Sequence, residues 1–303
     1  MLVLTIWPLF ALICLGFVLS RRGWPDAAFW PAAERLNYFI LFPALLVSSL
    51  ADAPLRDPAL LRMGGAGLAT ITIAALAMWA LRRTVVPARP ARFGPALQGV
   101  IRFNTYIGLA VTAGLTGTAG LGQAAVYLAI AVPFVNVLSI MALSEGAGLR
   151  AAPRMARSIL ANPLILACLA GIALTLSGIG LPWGTDRLLD LMGRASLPLG
   201  LLCVGAALRP EALRHDMAPL VTIGALRLLA MPLMAYAVGR AFGLDGTEAL
   251  VLVVFSAIPV APTAYVLTRQ LGGDGTLMAG LVTSQTLAAV ATIPLVLGLL
   301  ALA

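Results

Sequence analysis

The sequence predicts an all-α integral membrane protein of ten transmembrane helices, arranged as two inverted five-helix repeats. Three observations predict it. Of the 303 residues, 61% are hydrophobic and 11% charged, with a mean hydropathy of +1.00, whereas an ordinary soluble domain has about 25% charged residues. Apolar runs near the ~20 residues that cross a bilayer recur along the whole chain, leaving no room for a sizeable soluble domain. Sliding the second half back by 155 positions sets Pro163 on Pro8, Gly171 on Gly16, Gly178 on Gly23, Pro198 on Pro43, Gly272 on Gly117 and Gly275 on Gly120. Chance alone gives roughly two such coincidences.

Helix one is expected over residues 2–20, closed by Arg21, Arg22 and Gly23. Its start lacks a positive n-region and a small-residue cleavage pattern, so it reads as a retained helix rather than a signal peptide. Helix two (31–51) carries Pro43, a kink that neighbouring helices must accommodate. Helix three covers 63–81, helix four about 95–115, and helix five 122–143 with Pro133 and Asn136. The longest polar connection, 145–157, divides the first repeat (1–150) from the second (151–303). Helices six (159–178), seven (188–208, with Pro198) and eight (217–241, with Arg227 and Pro232) follow. Helix nine (248–268) carries Pro259 and Pro262, and helix ten (275–302) carries Ser284, Gln285 and Thr286.

All 20 basic residues are Arg and the formal charge is +8. They lie in short connections without a cluster interleaved with aromatics, which argues for anionic lipid and against nucleic acid. Connections after the odd-numbered helices, counting Arg35 at the start of helix two with the first of them, carry 13 Arg against 3 after the even-numbered ones. The odd connections are therefore expected in the cytoplasm and both termini outside. Cys14, Cys168 and Cys203 fall in apolar spans without metal-site or disulfide spacing, and His215 lies in a polar connection. No cofactor is expected. No nucleophile–base cluster or phosphate-cradling Gly-rich loop marks an enzyme or an ATP-driven pump.

The polar stretch Arg102, Phe103, Asn104, Thr105, Tyr106 interrupts helix four near its middle. A guanidinium at that depth costs at least ~2.5–3.5 kcal/mol on insertion scales, so it should face protein or a watery cavity and reads as a site. Five spans per repeat force the two copies to cross the membrane in opposite senses, which pairs helix four with helix nine. Both look discontinuous. Paired broken helices place unpaired amide N–H and C=O groups at the midplane, the plan of secondary transporters.

Leu41 to Leu46 with its Pro, Asn104 to Leu109, Asn162-Pro163-Leu164, Leu197-Pro198-Leu199 with Val204-Gly205-Ala206, Arg227-Leu228-Leu229 with Pro232, Pro259 to Leu267 with Gly272-Gly273-Asp274, and Ser284-Gln285-Thr286 occur in one order. In that order the chain resembles the auxin efflux carrier family, in its short bacterial branch of organic-anion carriers. The resemblance implies a scaffold of helices one, two, six and seven, and a moving domain in which helices four and nine cross at the substrate site. It also implies a location in the bacterial plasma membrane, a small carboxylate such as malonate or malate as substrate, and a homodimer through the scaffold. Two departures stand out: Ala110 where many members have Pro, and Thr263 where many have Asn.

The substrate-contacting candidates are Asn104, Arg102, Thr105, Pro259, Thr263, Arg227 and Thr286. Arg102 has three readings: an anion ligand, a neutraliser of a half-helix dipole, or a snorkelling surface charge. Asn104 suits a carboxylate, or a hydrogen bond between helices. Thr263 would present a hydroxyl where the backbone is broken, or bond quietly to the preceding turn. Arg227 binds substrate or holds the moving domain together. Ser284, Thr286 and Asn136 are also compatible with interhelical bonding. No acid lies at the centre of a span. That favours an anion carrier over a cation–proton exchanger or bile-acid-type symporter of the same architecture, and the broken pair argues against a channel or receptor.

Overall fold

A computed structural model describes residues 2–51, 57–82, 90–143, 162–181, 184–214 and 217–300. The predicted divider at 145–157 and His215 lie outside them. Among the described residues there is no strand.

In chain order, α1 (Leu2–Arg21) is followed by α2 (Phe29–Leu36), which passes through a π-helical turn, Asn37–Leu41, into α3 (Phe42–Ala51). Then come α4 (Pro58–Ala80), α5 (Pro90–Ile101) and α6 (Thr105–Leu143). The second half holds α7 (Pro163–Ser177), α8 (Thr185–Ala206) and a 3-10 turn, Pro210–Arg214. Next, α9 (Met217–Ala225) passes through a π-helical turn, Leu226–Ala230, into α10 (Met231–Ala241). The chain ends with α11 (Gly246–Ala257), α12 (Thr263–Gln270) and α13 (Gly275–Leu299). Among the described residues, five helices are long and apolar enough to cross a membrane: Pro58–Ala80, Gly120–Leu143, Thr185–Ala206, Met217–Ala241 and Gly275–Leu299. Ile6–Arg21, Pro163–Ser177 and Gly246–Ala257 are shorter apolar helices.

The starts and stops have local causes. Asp57 and Asn162 accept N–H bonds from the first turns of α4 and α7, each with Pro next, where its missing N–H costs nothing. Asp274 caps α13 by accepting from Leu277, and its own N–H donates to Ala91 O at 2.9 Å, tying the start of α13 to the start of α5. Gly117, at φ 65° and ψ −149°, breaks α6 in two, as the separation of helices four and five requires. The kink expected at Pro43 takes another form. Pro43 and Pro232 each stand just beyond a π-helical turn, whose wider ring takes in the carbonyl four residues back that a proline ring would otherwise strike.

Close helix packing rests on glycines. A Cβ at Gly16 would stand 2.0 Å from Leu202 O, and one at Gly205 would stand 1.9 Å from Ile13 O, so α1 and α8 are in backbone contact. Likewise α7 meets α3: a Cβ at Gly171 would lie 2.7 Å from Leu50 Cβ and 3.3 Å from Val47 O, and Thr175 Oγ1 donates to Leu50 O at 2.6 Å. The centre of the molecule is α11, buried without interruption from Ala249 to Ala257. At the surface, Glu211 bonds its own backbone and Arg21, which holds its carboxyl below the usual range.

Candidate functional site at the crossing of two broken helices

Two interruptions meet at the end of α11. Residues 102–104 separate α5 from α6, and residues 258–262 separate α11 from α12. The Asn104 N–H donates to Pro259 O at 2.8 Å, joining one break to the other. The first break forms without a proline at position 110; Ala110 is buried within α6. Four helix ends converge here: the C-termini of α5 and α11, whose free carbonyls carry partial negative charge, and the N-termini of α6 and α12, whose free N–H groups carry partial positive charge.

One side chain bonds both negative ends. Arg227, fully buried in the π-helical turn between α9 and α10, donates from Nε to Ile258 O at 2.7 Å and from its two terminal nitrogens to Val100 O at 3.0 Å and Phe255 O at 2.6 Å. Its fork thus holds the ends of α5 and α11 together and supplies the cation that both dipoles call for. Gln285 of α13, also fully buried, adds a second link. Its Oε1 accepts from Val260 N at 2.9 Å and its Nε2 donates to Gly99 O at 2.9 Å.

The positive ends are only partly closed. Asn104 Oδ1 accepts from Tyr106 N at 3.1 Å and Ile107 N at 3.4 Å, capping α6. The Asn104 Nδ2 group is buried and has no hydrogen-bond partner. No side chain caps α12, and among the described hydrogen bonds none uses the N–H of Ala261 or of Thr263, both half-buried. Arg102 stands beside them, half-buried, with its terminal nitrogens 3.3 Å from Gln98 Oε1 and a long 3.5 Å from Thr263 Oγ1. Gln98 in turn donates to Thr268 Oγ1 at 3.0 Å. The side chains at the crossing thus leave donors open, an amide NH2 and a guanidinium bonded only to neutral side chains, and two backbone N–H groups stand beside them.

The structure brings Arg102, Asn104, Pro259 and Thr263 together. Thr105 lies next to them, half-buried, as the first residue of α6. Arg227 reaches the crossing from the other side and bonds backbone oxygens, which corresponds to the structural one of its two readings. It also takes the dipole-neutralising role weighed for Arg102, whose guanidinium touches side chains instead. Thr286 sits elsewhere in bonding terms, since its hydroxyl returns to Val282 O at 2.6 Å, and Ser284 bonds Leu281 O. Sequence reasoning missed Gln285 and Gln98 as site residues. The available signal was that a buried amide demands two partners, where a Thr is satisfied by its own helix. It also missed Asn37 at the start of the first π-helical turn, which exchanges two hydrogen bonds with Ser196 of α8.

Residues 148–297 match the family model described as membrane transport protein. Over 301 residues, and 96% of both chains, the sequence is 27% identical to an uncharacterized transporter of Methanothermobacter thermautotrophicus. The second half of the chain is thus similar to the membrane transport protein family, and nearly the whole chain is similar to a transporter. This is the family whose resemblance the motifs from Leu41 to Thr286 carry, and the matched half contains Arg227, the second break and Gln285. As a transport protein, it presents the donors of Arg102, Asn104, Ala261 and Thr263 at the point where its two broken helices meet.

Proposed function

We propose that this transport protein is a secondary carrier that moves a small organic anion, a mono- or dicarboxylate of the malonate or malate kind, across the cytoplasmic membrane by alternating access. One observation carries the reading: Arg227 bonds a carbonyl at each negative helix end, while the side-chain groups left open at the crossing, Asn104 Nδ2 and the Arg102 guanidinium, are donors. A carboxylate supplies the acceptors that Asn104 Nδ2, Arg102 and the start of α12 lack, and it matches the exposed dipole of α12. Thr105 and Pro259 shape the same space. Arg102 stays half-buried, as a ligand group that must admit and release substrate has to be.

The same reading takes the chain as ten spans in two inverted repeats. In its support, Asn104 and Pro259, which bond each other, stand 155 positions apart, the offset that aligns the halves. The Gly16 contact with Leu202 O recurs 155 positions on as the Gly171 contact with Val47 O. The aligned pairs Gly23 with Gly178 and Gly117 with Gly272 all have φ between 65° and 75°. Both ends of the chain then lie outside. Cysteine at position 150, in a background without the three native Cys, should react with an impermeant maleimide only after permeabilisation.

Counterflow in proteoliposomes tests the transport step. Vesicles preloaded with malonate or malate should accumulate labelled external substrate transiently, and the Asn104→Asp variant, which puts an acceptor where the donor was, should abolish it. Uptake that simply equilibrates, with no overshoot under any mono- or dicarboxylate preload, would mark a channel and end this reading.

A further inference from the structure

Beside α9 runs an open apolar groove of about 490 Å³, walled by Leu220, Val221, Leu228, Leu287 and Ala288. Leu213 and Met217 line it before and at the start of α9, and Leu229 lines it beyond. From Met217 to Leu229 a helix rises about 18 Å, so the groove is a trench rather than a round pocket. Gly224 contributes to its floor, and a Cβ there would meet nothing within 4 Å. Leu220 and Leu228 are buried at its base while its rim faces outward, with Met217 60% and Val221 62% exposed, and the Met217–Ala241 helix is the least covered of the five long spans at 33% buried. No charged side chain lines the trench, so it does not suit a free carboxylate.

Charge gathers at the end marked by Leu213. Arg214 is the next residue and is exposed. Arg209, exposed as well, has its N–H held at 2.9 Å by Thr283 Oγ1, one residue before the groove residue Ser284. The acid on the same turn, Glu211, is paired with Arg21, and among the described residues neither Arg209 nor Arg214 forms an ion pair. An apolar trench of helical length, open at the surface and ending at two exposed guanidiniums without an ion pair among the described residues, has the pattern of an acyl chain joined to a phosphate.

We propose that the groove between α9 and α13 holds one acyl chain of an anionic phospholipid whose phosphate meets Arg209 and Arg214. The chain lies along Val221, Leu229 and Leu287, on the outer side of the segments that carry Arg227 and Gln285, so the lipid steadies the broken helices from behind. This does not depend on which substrate the crossing binds.

The test is native mass spectrometry of the full chain released from nanodiscs containing equal phosphatidylglycerol and phosphatidylcholine. The parent is expected to retain one phosphatidylglycerol in preference to phosphatidylcholine. Removing both charges in the R209Q/R214Q double variant should erase that preference, at about fivefold per arginine, while some lipid is still retained. Gly224→Phe and, on the exposed side of the same floor, Ala225→Phe fill the trench and should lose the bound lipid of either headgroup, with an unchanged circular-dichroism spectrum. Equal retention of the two lipids by the parent would overturn the proposal. So would retention of phosphatidylglycerol by the filled variant that keeps its fold. A change of oligomeric state in the filled variants with lipid retention unaltered would make the groove a contact between copies, and would equally refute it.

Discussion

Val100 and Phe255 offer their carbonyl oxygens to the same guanidinium, that of Arg227, and they stand 155 positions apart. A single buried cation thus bonds two points that the 155-residue offset aligns. The fork has no counterpart in the other half: position 72, 155 residues before Arg227, is Thr72, whose hydroxyl bonds Leu68 O within its own helix. One arginine therefore serves both broken helices, and its removal is expected to disturb both.

Arg227→Leu leaves three buried carbonyls without donors, each worth about 1–3 kcal/mol, so a loss of at least ~3 kcal/mol is expected. Arg227→Lys keeps the charge but offers one nitrogen to three oxygens spread over two helices, and should recover less than half of that loss. Thermal unfolding in detergent reads both. A stable Arg227→Leu variant that bound substrate more weakly would move Arg227 from the structural to the ligand role.

Asn104 needs a variant that separates its two jobs, because Oδ1 caps α6 while Nδ2 faces no partner. Asn104→Ser retains a capping oxygen and loses the amide donor. Substrate affinity is expected to fall by about 1–3 kcal/mol, or roughly 5- to 150-fold, with the melting temperature nearly unchanged. Asn104→Ala should show the same affinity loss plus about 1 kcal/mol of stability for the missing cap. Arg102→Lys gives the comparison: it holds the charge and drops the bidentate fork. If Asn104→Ser bound carboxylates like the parent while Arg102→Lys bound none, Arg102 would be the ligand and Asn104 only a cap.

Gln285→Leu removes partners from Val260 N–H and Gly99 C=O together, at about 1–3 kcal/mol each. Exchange is expected to slow more than binding weakens, because the links at the crossing loosen. Gln285→Glu keeps an acceptor for Val260, but an ionised carboxylate cannot donate to Gly99. Its exchange rate should therefore rise as pH is lowered and the carboxyl gains a proton to donate, a trend absent from the parent. A flat profile for Gln285→Glu would separate Gln285 from the transport step.

Gly205→Ala inserts a methyl 1.9 Å from Ile13 O, a backbone atom that moves only if α1 moves. Overpacking of this kind costs about 1–3 kcal/mol. Gly298→Ala, where nothing lies within 4 Å, is the matched control and should be neutral. Equal unfolding temperatures for the two variants would show that α1 and α8 do not depend on this contact.

Much of the crossing was legible in the sequence because lipid makes polar residues conspicuous. Arg102, Asn104 and the Pro259/Pro262 pair stood out where apolar residues were expected, and all four lie at or beside a break. The rest depended on rotation about helix axes. Depth in a span can be counted, but whether Gln285 or Thr286 turns towards Gly99 depends on how α13 sits against α5. The choice fell on the hydroxyl, which its own helix satisfies, instead of the amide, which it cannot. Arg227 was visible, yet its partners are carbonyls, present at every position and so invisible as a pattern. The π-helical turns before Pro43 and Pro232 were likewise hidden, since a proline announces disruption without saying what form the relief takes.

The bond from Arg227 to Val100 spans 127 residues of chain. During synthesis, α5 leaves the ribosome long before the residue that closes its end exists, whereas Phe255 and Ile258 follow Arg227 by only 28 and 31 residues. The end of α5 therefore stays without this partner until the second half is made. The crossing cannot be complete before Gln285 is made, so its closure waits on the second half of the chain.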